Sequence, residues 1–365
     1  MLIAEAHGES EELIGRPLVG YSGLELARML TQTHLATVPL PDRFIPKEVL
    51  PQFMDQWWSQ QDIFCTNVLP FRPPENKLPY LCGTKKEVGG KAYVLPPMLG
   101  GTTGPKYLLP EYLPELKRLA IEIRLVQPNL IIALGNIACW ALLRRTGITA
   151  IRGTTAECLL VSGFKVLPTF HPSNILRQWE NRTIMLSDLI KAKREAEFPE
   201  IRRPQREILV NPTIEEIEDF LAYLQEYNFP LLSIDIETKG KTITMISFAP
   251  APNYALVIPF YDEAFPNGNY WSSPELEIKA WMLVKRLLEL PIPKLFQNGL
   301  YDLQYIYKMG FRPKNVLADT MLLHHAILPE MQKGLGFLGS IYTFESSWKL
   351  LRRVRVKDLG NKADE

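Results

Sequence analysis

The amino-acid sequence predicts an α/β protein with two domains, in which a mostly parallel sheet is followed by a mixed sheet. Before the stretch 191–208, short apolar runs alternate with segments whose apolar residues recur at three- and four-residue spacing, as in alternating strands and helices. After it, three strand-like runs follow one another directly, which indicates a meander. The stretch itself is charged and punctuated by prolines, as linkers often are. We therefore expect a first domain at 1–195, a linker at 196–208 and a second domain at 209–365.

The composition excludes several classes of protein. The chain has 365 residues, of which 46% are hydrophobic and 22% charged, and its net charge is +1. This balance is typical of a globular protein, and it excludes a strongly basic coat for DNA. No apolar run reaches the roughly 18 residues that a membrane span needs, so we expect no membrane partner and a cytoplasmic location. The four cysteines form no CxxC pair, so neither a zinc site nor a disulfide framework is indicated.

In the first domain, polar residues follow the ends of the predicted strands. Glu5 ends the run MLIAEA, Asn67 lies in FCTNVLP, Gly135-Asn136 follows IIAL, and His171 follows KVLPTF. The carboxyl ends of parallel strands meet at one edge of a sheet, so these residues are expected to converge on a site. Taken singly, each has an ordinary alternative, because Asn67 could cap a turn and His171 could lie in a surface loop.

In the second domain, Thr213 and Glu216 form a capping box that predicts a helix start. The strand LLSIDIET then places Asp235 and Glu237 on one face, because side chains two apart in a strand point the same way. Two adjacent carboxylates on an apolar strand repel each other and indicate a bound cation. The alternative is an edge strand with an acidic solvent face. Asp302, at a helix start, would alone be an ordinary N-terminal acid.

Four motifs of the second domain, in order, carry a family resemblance. SIDIET, NGLYD, LADTMLLHHAILPE and GLGFLGSIYT resemble the proofreading 3′–5′ exonuclease domain of bacterial and phage family A DNA polymerases, from about residue 209 to Trp348. The resemblance implies an RNase H-like fold and two divalent metals, Mg²⁺ or Mn²⁺, bound by Asp235, Glu237, Asp302 and one further aspartate. It makes Asp319 a structural acid rather than a ligand.

The family's third exonuclease motif, a Tyr or His followed four residues later by Asp, does not occur in this chain. The predicted two-metal site therefore lacks one ligand, which weakens metal binding and turnover. We expect the chain to be the N-terminal portion of a phage-type DNA polymerase, in a bacterial or phage-infected cell, with a polymerase domain encoded downstream. Its partner would be DNA, either single-stranded or at a primer 3′ end.

Segments of the first domain resemble the uracil-DNA glycosylase superfamily, closest to its iron–sulfur bacterial and archaeal branch. These segments are AEAHGESEELIGRPLVGYSG, TNVLPFRPPENK, IIALGNIACWALL and TFHPSNILR. The resemblance implies that a base is flipped into a pocket and its N-glycosidic bond hydrolysed. By position, Glu5 would place water, Asn67 would recognise the pyrimidine edge and His171 would stabilise charge on the base oxygen. Ser173 would press on the DNA backbone.

Three departures from this family matter. Leu18 stands where the family has an aromatic residue that stacks on the flipped base, and His7 stands where it has proline. The cysteines lack the family's spacing, so we expect no iron–sulfur cluster. Two alternatives follow. One is a stand-alone repair glycosylase, and the other is a non-catalytic DNA-binding module that accompanies a polymerase.

Overall fold

The computed structural model describes residues 1–100, 104–265 and 268–344. Two compact units make up the chain: Met1–Arg202 with the segment that starts at Gly336, and Arg203–Leu335. The expected end of the exonuclease resemblance at Trp348, and the rest of 345–365, lie outside the described residues. No helix in the described part of the chain has the length and apolar character to cross a bilayer.

The first unit is built on a sheet whose strand order is β2-β1-β5-β7-β6, in which only β6 runs antiparallel to its neighbour. A small hairpin pairs β3 with β4. The strands of this unit are β1 (Leu2–Ala6), β2 (Cys65–Leu69), β3 (Cys82–Gly83), β4 (Tyr107–Leu108), β5 (Ile131–Leu134), β6 (Ala156–Glu157) and β7 (Lys165–Thr169).

Helices cover this sheet and connect its strands, as expected of a parallel α/β unit. Buried side chains of α4 and α5 pack with the strands in one apolar core. These helices are α1 (Glu9–Ile14), α2 (Tyr21–Gln32), α3 (Leu50–Ser59), α4 (Leu113–Val126), α5 (Gly135–Leu143), α6 (Ile148–Ile151), α7 (Pro172–Arg177) and α8 (Asn181–Glu195).

The second unit contains a mixed sheet of order β13-β12-β9-β10-β11-β8. The run β9-β10-β11 is the expected antiparallel meander, while β12 and β13 are parallel to β9 and β8 is parallel to β11. The elements are β8 (Glu207–Val210), α9 (Ile214–Glu226), β9 (Leu232–Lys239), β10 (Thr242–Ala251), β11 (Tyr254–Pro259), α10 (Pro274–Glu289), β12 (Lys294–Phe296), α11 (Gly299–Lys308), β13 (Val316–Asp319) and α12 (Thr320–Ile327). The predicted fold class, a parallel-sheet α/β domain and a mixed-sheet domain, is thus confirmed.

One further helix, α13 (Leu335–Tyr342), packs with the first unit from Gly336 onward. Arg152 donates a hydrogen bond to the hydroxyl of Ser340 at 2.9 Å, and Lys191 donates to the carbonyl of the same residue. The sequence places this segment in the second domain, 209–365. The difference arises because polar contacts between residues far apart in the chain leave no local pattern in the sequence.

Candidate functional site

A cavity of about 470 Å³ opens at the carboxyl edge of the first unit's sheet. The five candidate residues of the glycosylase-like pocket all line it, namely Glu5, Leu18, Asn67, His171 and Ser173. Glu5, Asn67 and His171 meet because β1, β2 and β7 run parallel in one sheet: Glu5 and Asn67 lie on β1 and β2, and His171 follows β7.

Glu5 and Asn67 lie on neighbouring strands at the floor of this cavity. Asn67 pairs in register with Ala4, the residue before Glu5. Burial raises the pKa of the Glu5 carboxyl, and the positive charge of Arg177, which also lines the cavity, opposes that rise. A carboxylate in such a place can accept a proton or orient a water molecule.

The carboxamide of Asn67 is buried without a partner. The residue is only 2% exposed, and neither Oδ1 nor Nδ2 makes a hydrogen bond within the part of the chain that the structure describes. A buried amide without hydrogen bonds costs free energy, and native structures rarely tolerate one unless a ligand or water completes it. Because Asn67 lines the cavity, the missing partner belongs there.

His171 faces the cavity as a neutral imidazole. Its Nδ1 accepts a hydrogen bond from the backbone N–H of Ser173 at 3.2 Å, so that His171 caps α7. This bond assigns the ring proton to Nε2. Burial lowers the pKa of His171 to about 4, and the nearby charge of Arg177 acts in the same direction. The ring can therefore donate a hydrogen bond from Nε2 at neutral pH without carrying a full charge.

Leu18 is fixed in an uncommon backbone conformation. Its φ is 61°, in the left-handed region that branched and bulky residues rarely adopt. The carbonyl of Leu18 accepts a hydrogen bond from the indole of Trp58 at 2.8 Å, and it lies so near Gly23 that a Cβ there would be 1.7 Å from the oxygen. The side chain itself is buried. Leu18 thus gives the cavity an aliphatic wall in place of an aromatic one.

The loop around Leu18 is held in place by Glu11, which lies within the segment AEAHGESEELIGRPLVGYSG but is not among the candidate site residues. Its carboxylate accepts backbone hydrogen bonds from Gly8, Val19 and Gly20 at 2.9–3.2 Å. The signal in the sequence was a Glu three residues after the helix N-cap, which is half of a capping box.

The acids of the second unit lie on β9 and α11. Asp235 and Glu237 share one exposed face of β9, and Ile234 and Ile236 are buried on the other, as the alternation predicts. Asp302 is 3% exposed and accepts a hydrogen bond from the backbone N–H of Ile236 at 3.0 Å. Burial raises the pKa of Asp302 to about 6, and the charge of Asp235 contributes to the rise. Asp235 is exposed at its surface but partly desolvated by its surroundings, which raises its pKa, and the charge of Glu237 adds to the rise.

Asp319 has a structural place in the same unit. Its carboxylate accepts hydrogen bonds from the backbone N–H groups of Asn298 and Gly299 at 3.0 and 2.7 Å, and from that of Met321 at 2.8 Å. It therefore joins the start of α12 to the turn that begins α11, which carries Asp302.

The donor set of the second unit suits a hard cation, because Asp235, Glu237 and Asp302 offer only carboxylate oxygens and repel one another. In the structure these acids do not form a complete metal site, since the described residues contain no group of three or more His, Cys, Asp or Glu side chains that could bind a metal ion.

In the first unit, burial raises the pKa of Cys65 and Cys139 to about 12. Burial therefore holds these two thiols in the neutral form at neutral pH.

Comparisons with known proteins match each part of the chain. The model of the family described as the uracil DNA glycosylase superfamily matches residues 1–201. The type-4 uracil-DNA glycosylase of Thermotoga maritima is 27% identical over 197 residues, which are 53% of this chain and 75% of that protein. The type-4 enzyme of Saccharolobus solfataricus is 26% identical over 200 residues, covering 53% and 69% of the two chains.

A second kind of relative extends beyond the first unit. The DNA polymerase of Bacillus phage SP01 is 24% identical over 294 residues, which are 72% of this chain and 28% of the polymerase. Among solved structures, Escherichia coli RNase D has a TM-score of 0.28 at 18% identity, covering 39% of this chain and 34% of RNase D. Brucella melitensis NrnC with bound Mg²⁺ has a TM-score of 0.23 at 20% identity, covering 37% and 58%.

Proposed function

This chain belongs to the uracil DNA glycosylase superfamily, whose model matches residues 1–201, and from that premise we propose that its first unit takes up a uracil base extruded from DNA. The cavity that would receive the base is the one lined by Glu5, Asn67 and His171. DNA is the substrate class that the names of both kinds of relative suggest.

The unpartnered carboxamide of Asn67 carries this proposal. Uracil presents a carbonyl acceptor beside an N–H donor, which complements an amide that offers one donor and one acceptor. Cytosine presents a ring-nitrogen acceptor beside an amino donor, which is the reverse order, so the amide would have to turn by 180° to pair with it. In the orientation that suits uracil, binding uracil would satisfy two buried atoms of Asn67 at once, whereas cytosine would leave them opposed.

The other cavity residues supply what hydrolysis of the N-glycosidic bond needs. As the bond breaks, negative charge develops on the base and positive charge on the sugar. The Nε2–H of His171 can stabilise the charge on the base oxygen, because a preorganised donor in a water-poor cavity acts most strongly where charge develops. Glu5 can orient the attacking water and favour the cation-like sugar.

The test is excision of uracil in the absence of metal. A 5′-labelled single-stranded oligonucleotide with one internal uracil is incubated in EDTA and then treated with alkali. We expect one alkali-dependent break at the uracil, none in a matched cytosine oligonucleotide, and loss of the break in Asn67→Ala. If the protein binds the uracil oligonucleotide preferentially but produces no break, recognition of uracil is supported and the non-catalytic module is favoured. Equal binding of both strands would contradict the proposal.

For the second unit we propose metal-dependent hydrolysis of DNA from the 3′ end. The supporting observations are the three carboxylates at β9 and α11 and the similarity of 72% of the chain to a phage polymerase. A bound Mg²⁺ or Mn²⁺ would activate water and stabilise the leaving 3′ oxygen. Asp235, Glu237 and Asp302 would bind it. Together with the first unit, this makes the chain a polymerase-associated replication and proofreading protein of a bacterial or phage-infected cytoplasm.

This second proposal has its own assay. The same oligonucleotide in Mn²⁺ should give a ladder of shortened products, and EDTA should prevent it. Asp235→Ala should abolish the ladder without unfolding the protein, because the exposed side chain of Asp235 contributes little to the core. Undiminished degradation in that variant would rule out the assignment of the acids.

A further inference from the structure

Arg118, on α4, binds the main chain that carries Asn67. Its Nη2 donates hydrogen bonds to the carbonyl oxygens of Asn67 at 2.7 Å and Val68 at 3.2 Å. Its Nη1 donates to the hydroxyl of Thr66 at 3.3 Å. One side chain therefore contacts three consecutive residues of β2.

The place of β2 in the sheet explains why these groups need a partner. β2 is an edge strand that pairs only with β1 among the described strands. The backbone groups on the free side of an edge strand have no neighbouring strand to bond with. The guanidinium of Arg118 supplies donors to two carbonyls of this edge strand, at the residue whose side chain lines the cavity.

Arg118 is itself fixed from two sides. Its Nε donates to Glu115 at 2.7 Å, and its Nη1 donates to Glu122 at 2.5 Å. These acids precede and follow it by one turn of α4, so the helix holds the guanidinium in one plane. A rigid, planar fork that spans two carbonyls is a property of arginine and not of lysine.

The side chain of Asn67 has no such support. Its carboxamide makes no hydrogen bond within the described residues, so the side chain relies on its main chain and on packing for its place in the cavity. We propose that Arg118 is a positioning residue for base recognition, which fixes the main chain of Asn67 so that its carboxamide lies at one place in the cavity when a base binds. This inference rests on the function proposed for the cavity.

The first experiment measures binding of single-stranded oligonucleotides that contain either one uracil or one cytosine. We expect Arg118→Ala and Arg118→Lys to lower the preference for uracil about tenfold. Arg124→Ala is the matched control, because Arg124 is an exposed arginine in the last turn of the same helix. It should weaken the binding of both oligonucleotides equally or not at all. If Arg118→Ala also weakens the binding of both equally, Arg118 acts through its charge and the proposal is overturned.

A double-mutant cycle separates positioning from a direct contact. In the Asn67→Ala background, Arg118→Lys should have no further effect on the uracil preference, because the group it positions is gone. Independent, multiplicative losses in the double variant would overturn the proposal. Arg118→Lys keeps the charge, so it serves in this cycle if Arg118→Ala fails to fold.

Hydrogen exchange distinguishes this proposal from the function it rests on. The backbone amides of Cys65–Leu69 should exchange faster in Arg118→Lys than in the wild type, and Arg124→Ala should leave them unchanged. If the wild type shows no preference for uracil, the proposed function fails, and the exchange rates alone decide whether Arg118 fixes the segment. Unchanged rates in Arg118→Lys would overturn its positioning role whatever the protein binds.

Discussion

Gly135 and His171 approach each other so closely that a Cβ built on Gly135 would lie 2.9 Å from the Cβ of His171. Gly135 also has a φ of 86°, which residues with a side chain adopt only at a cost. The first residue of α5 and the imidazole that lines the cavity are therefore fitted to each other. The position of His171 depends on the absence of a side chain at residue 135.

Gly135→Ala should slow uracil excision strongly while it lowers the free energy of unfolding only moderately. The new methyl group has to displace His171, and a shift of about 1 Å in a reacting group can cost as much as about 100-fold in rate. We expect at least a roughly tenfold slower single-turnover excision, with a loss of about 1–3 kcal/mol in the free energy of unfolding.

The matched control is Gly163→Ala. Gly163 has a φ of 88°, but a Cβ added to it would have nothing within 4 Å, so it carries the backbone strain without the contact to a cavity residue. Its variant should lose similar stability and keep the wild-type excision rate. Equal excision rates in Gly135→Ala and Gly163→Ala would show that the contact with His171 does not affect excision.

The neutral state of His171 predicts how stability depends on pH. Burial lowers its pKa to about 4, whereas an exposed histidine titrates near about 6.5. Between these values the unfolded chain binds a proton that the folded chain does not, so this contribution to stability is lost as the pH falls from about 6.5 toward 4. Urea denaturation at pH 7, 6 and 5 should show the wild type losing more stability than His171→Gln. A difference between the two that stays constant with pH would contradict a neutral imidazole with a lowered pKa at residue 171.

Several features of the site follow from the sequence, and others do not. The meeting of Glu5, Asn67 and His171 in one cavity follows from parallel topology, because strand ends share an edge whatever the details of packing. The left-handed conformation of Leu18 does not, since Leu18 lies in a loop without periodicity and its carbonyl closely approaches Gly23 in α2.

Contacts between residues that are far apart in the chain also cannot be predicted from the local sequence pattern. Arg118 lies in the middle of an amphipathic helix, where the sequence pattern only indicates a partly exposed charge. Its bond to the carbonyl of Asn67 joins residues 51 positions apart. The parallel pairing of β8 with β11 is a further case, because a strand of only four residues carries no information about its partner.

Replacement by asparagine should have opposite effects on stability at Asp302 and at Asp319. Burial raises the pKa of Asp302 to about 6, so the folded unit binds a proton more tightly than the unfolded chain. That stabilising contribution is present at pH 4 and lost as the pH rises through 6. Relative to the wild type, Asp302→Asn should therefore be more stable at pH 8 than at pH 4. Chemical denaturation in EDTA, followed by hydrogen exchange in β9, measures the difference.

Asp319→Asn is the contrasting variant. Its carboxylate accepts three backbone hydrogen bonds, and an amide can reproduce only part of that set. We expect a loss of about 1–2 kcal/mol, as for the removal of a helix N-cap. If Asp302→Asn gains nothing at high pH while Asp319→Asn behaves as expected, the raised pKa of Asp302 is wrong and the acids of this unit do not repel as described.

Removing one partner of the buried ion pair between Asp188 and Arg152 should strongly destabilise the first unit. Asp188 is 0% exposed and accepts hydrogen bonds from Arg152 and, at 2.7 Å, from the hydroxyl of Thr169. Asp188→Ala leaves the guanidinium of Arg152, itself 3% exposed, without its counter-charge, so we expect a loss of about 3–5 kcal/mol. Chemical denaturation, followed by hydrogen exchange of the β7 amides, measures the stability of this unit.

The double variant Asp188→Leu with Arg152→Met removes both charges, and it should lose less stability than Asp188→Ala because no buried charge is left unpaired. A double variant that is less stable than Asp188→Ala would show that the pair itself, and not the penalty of an isolated charge, stabilises the unit.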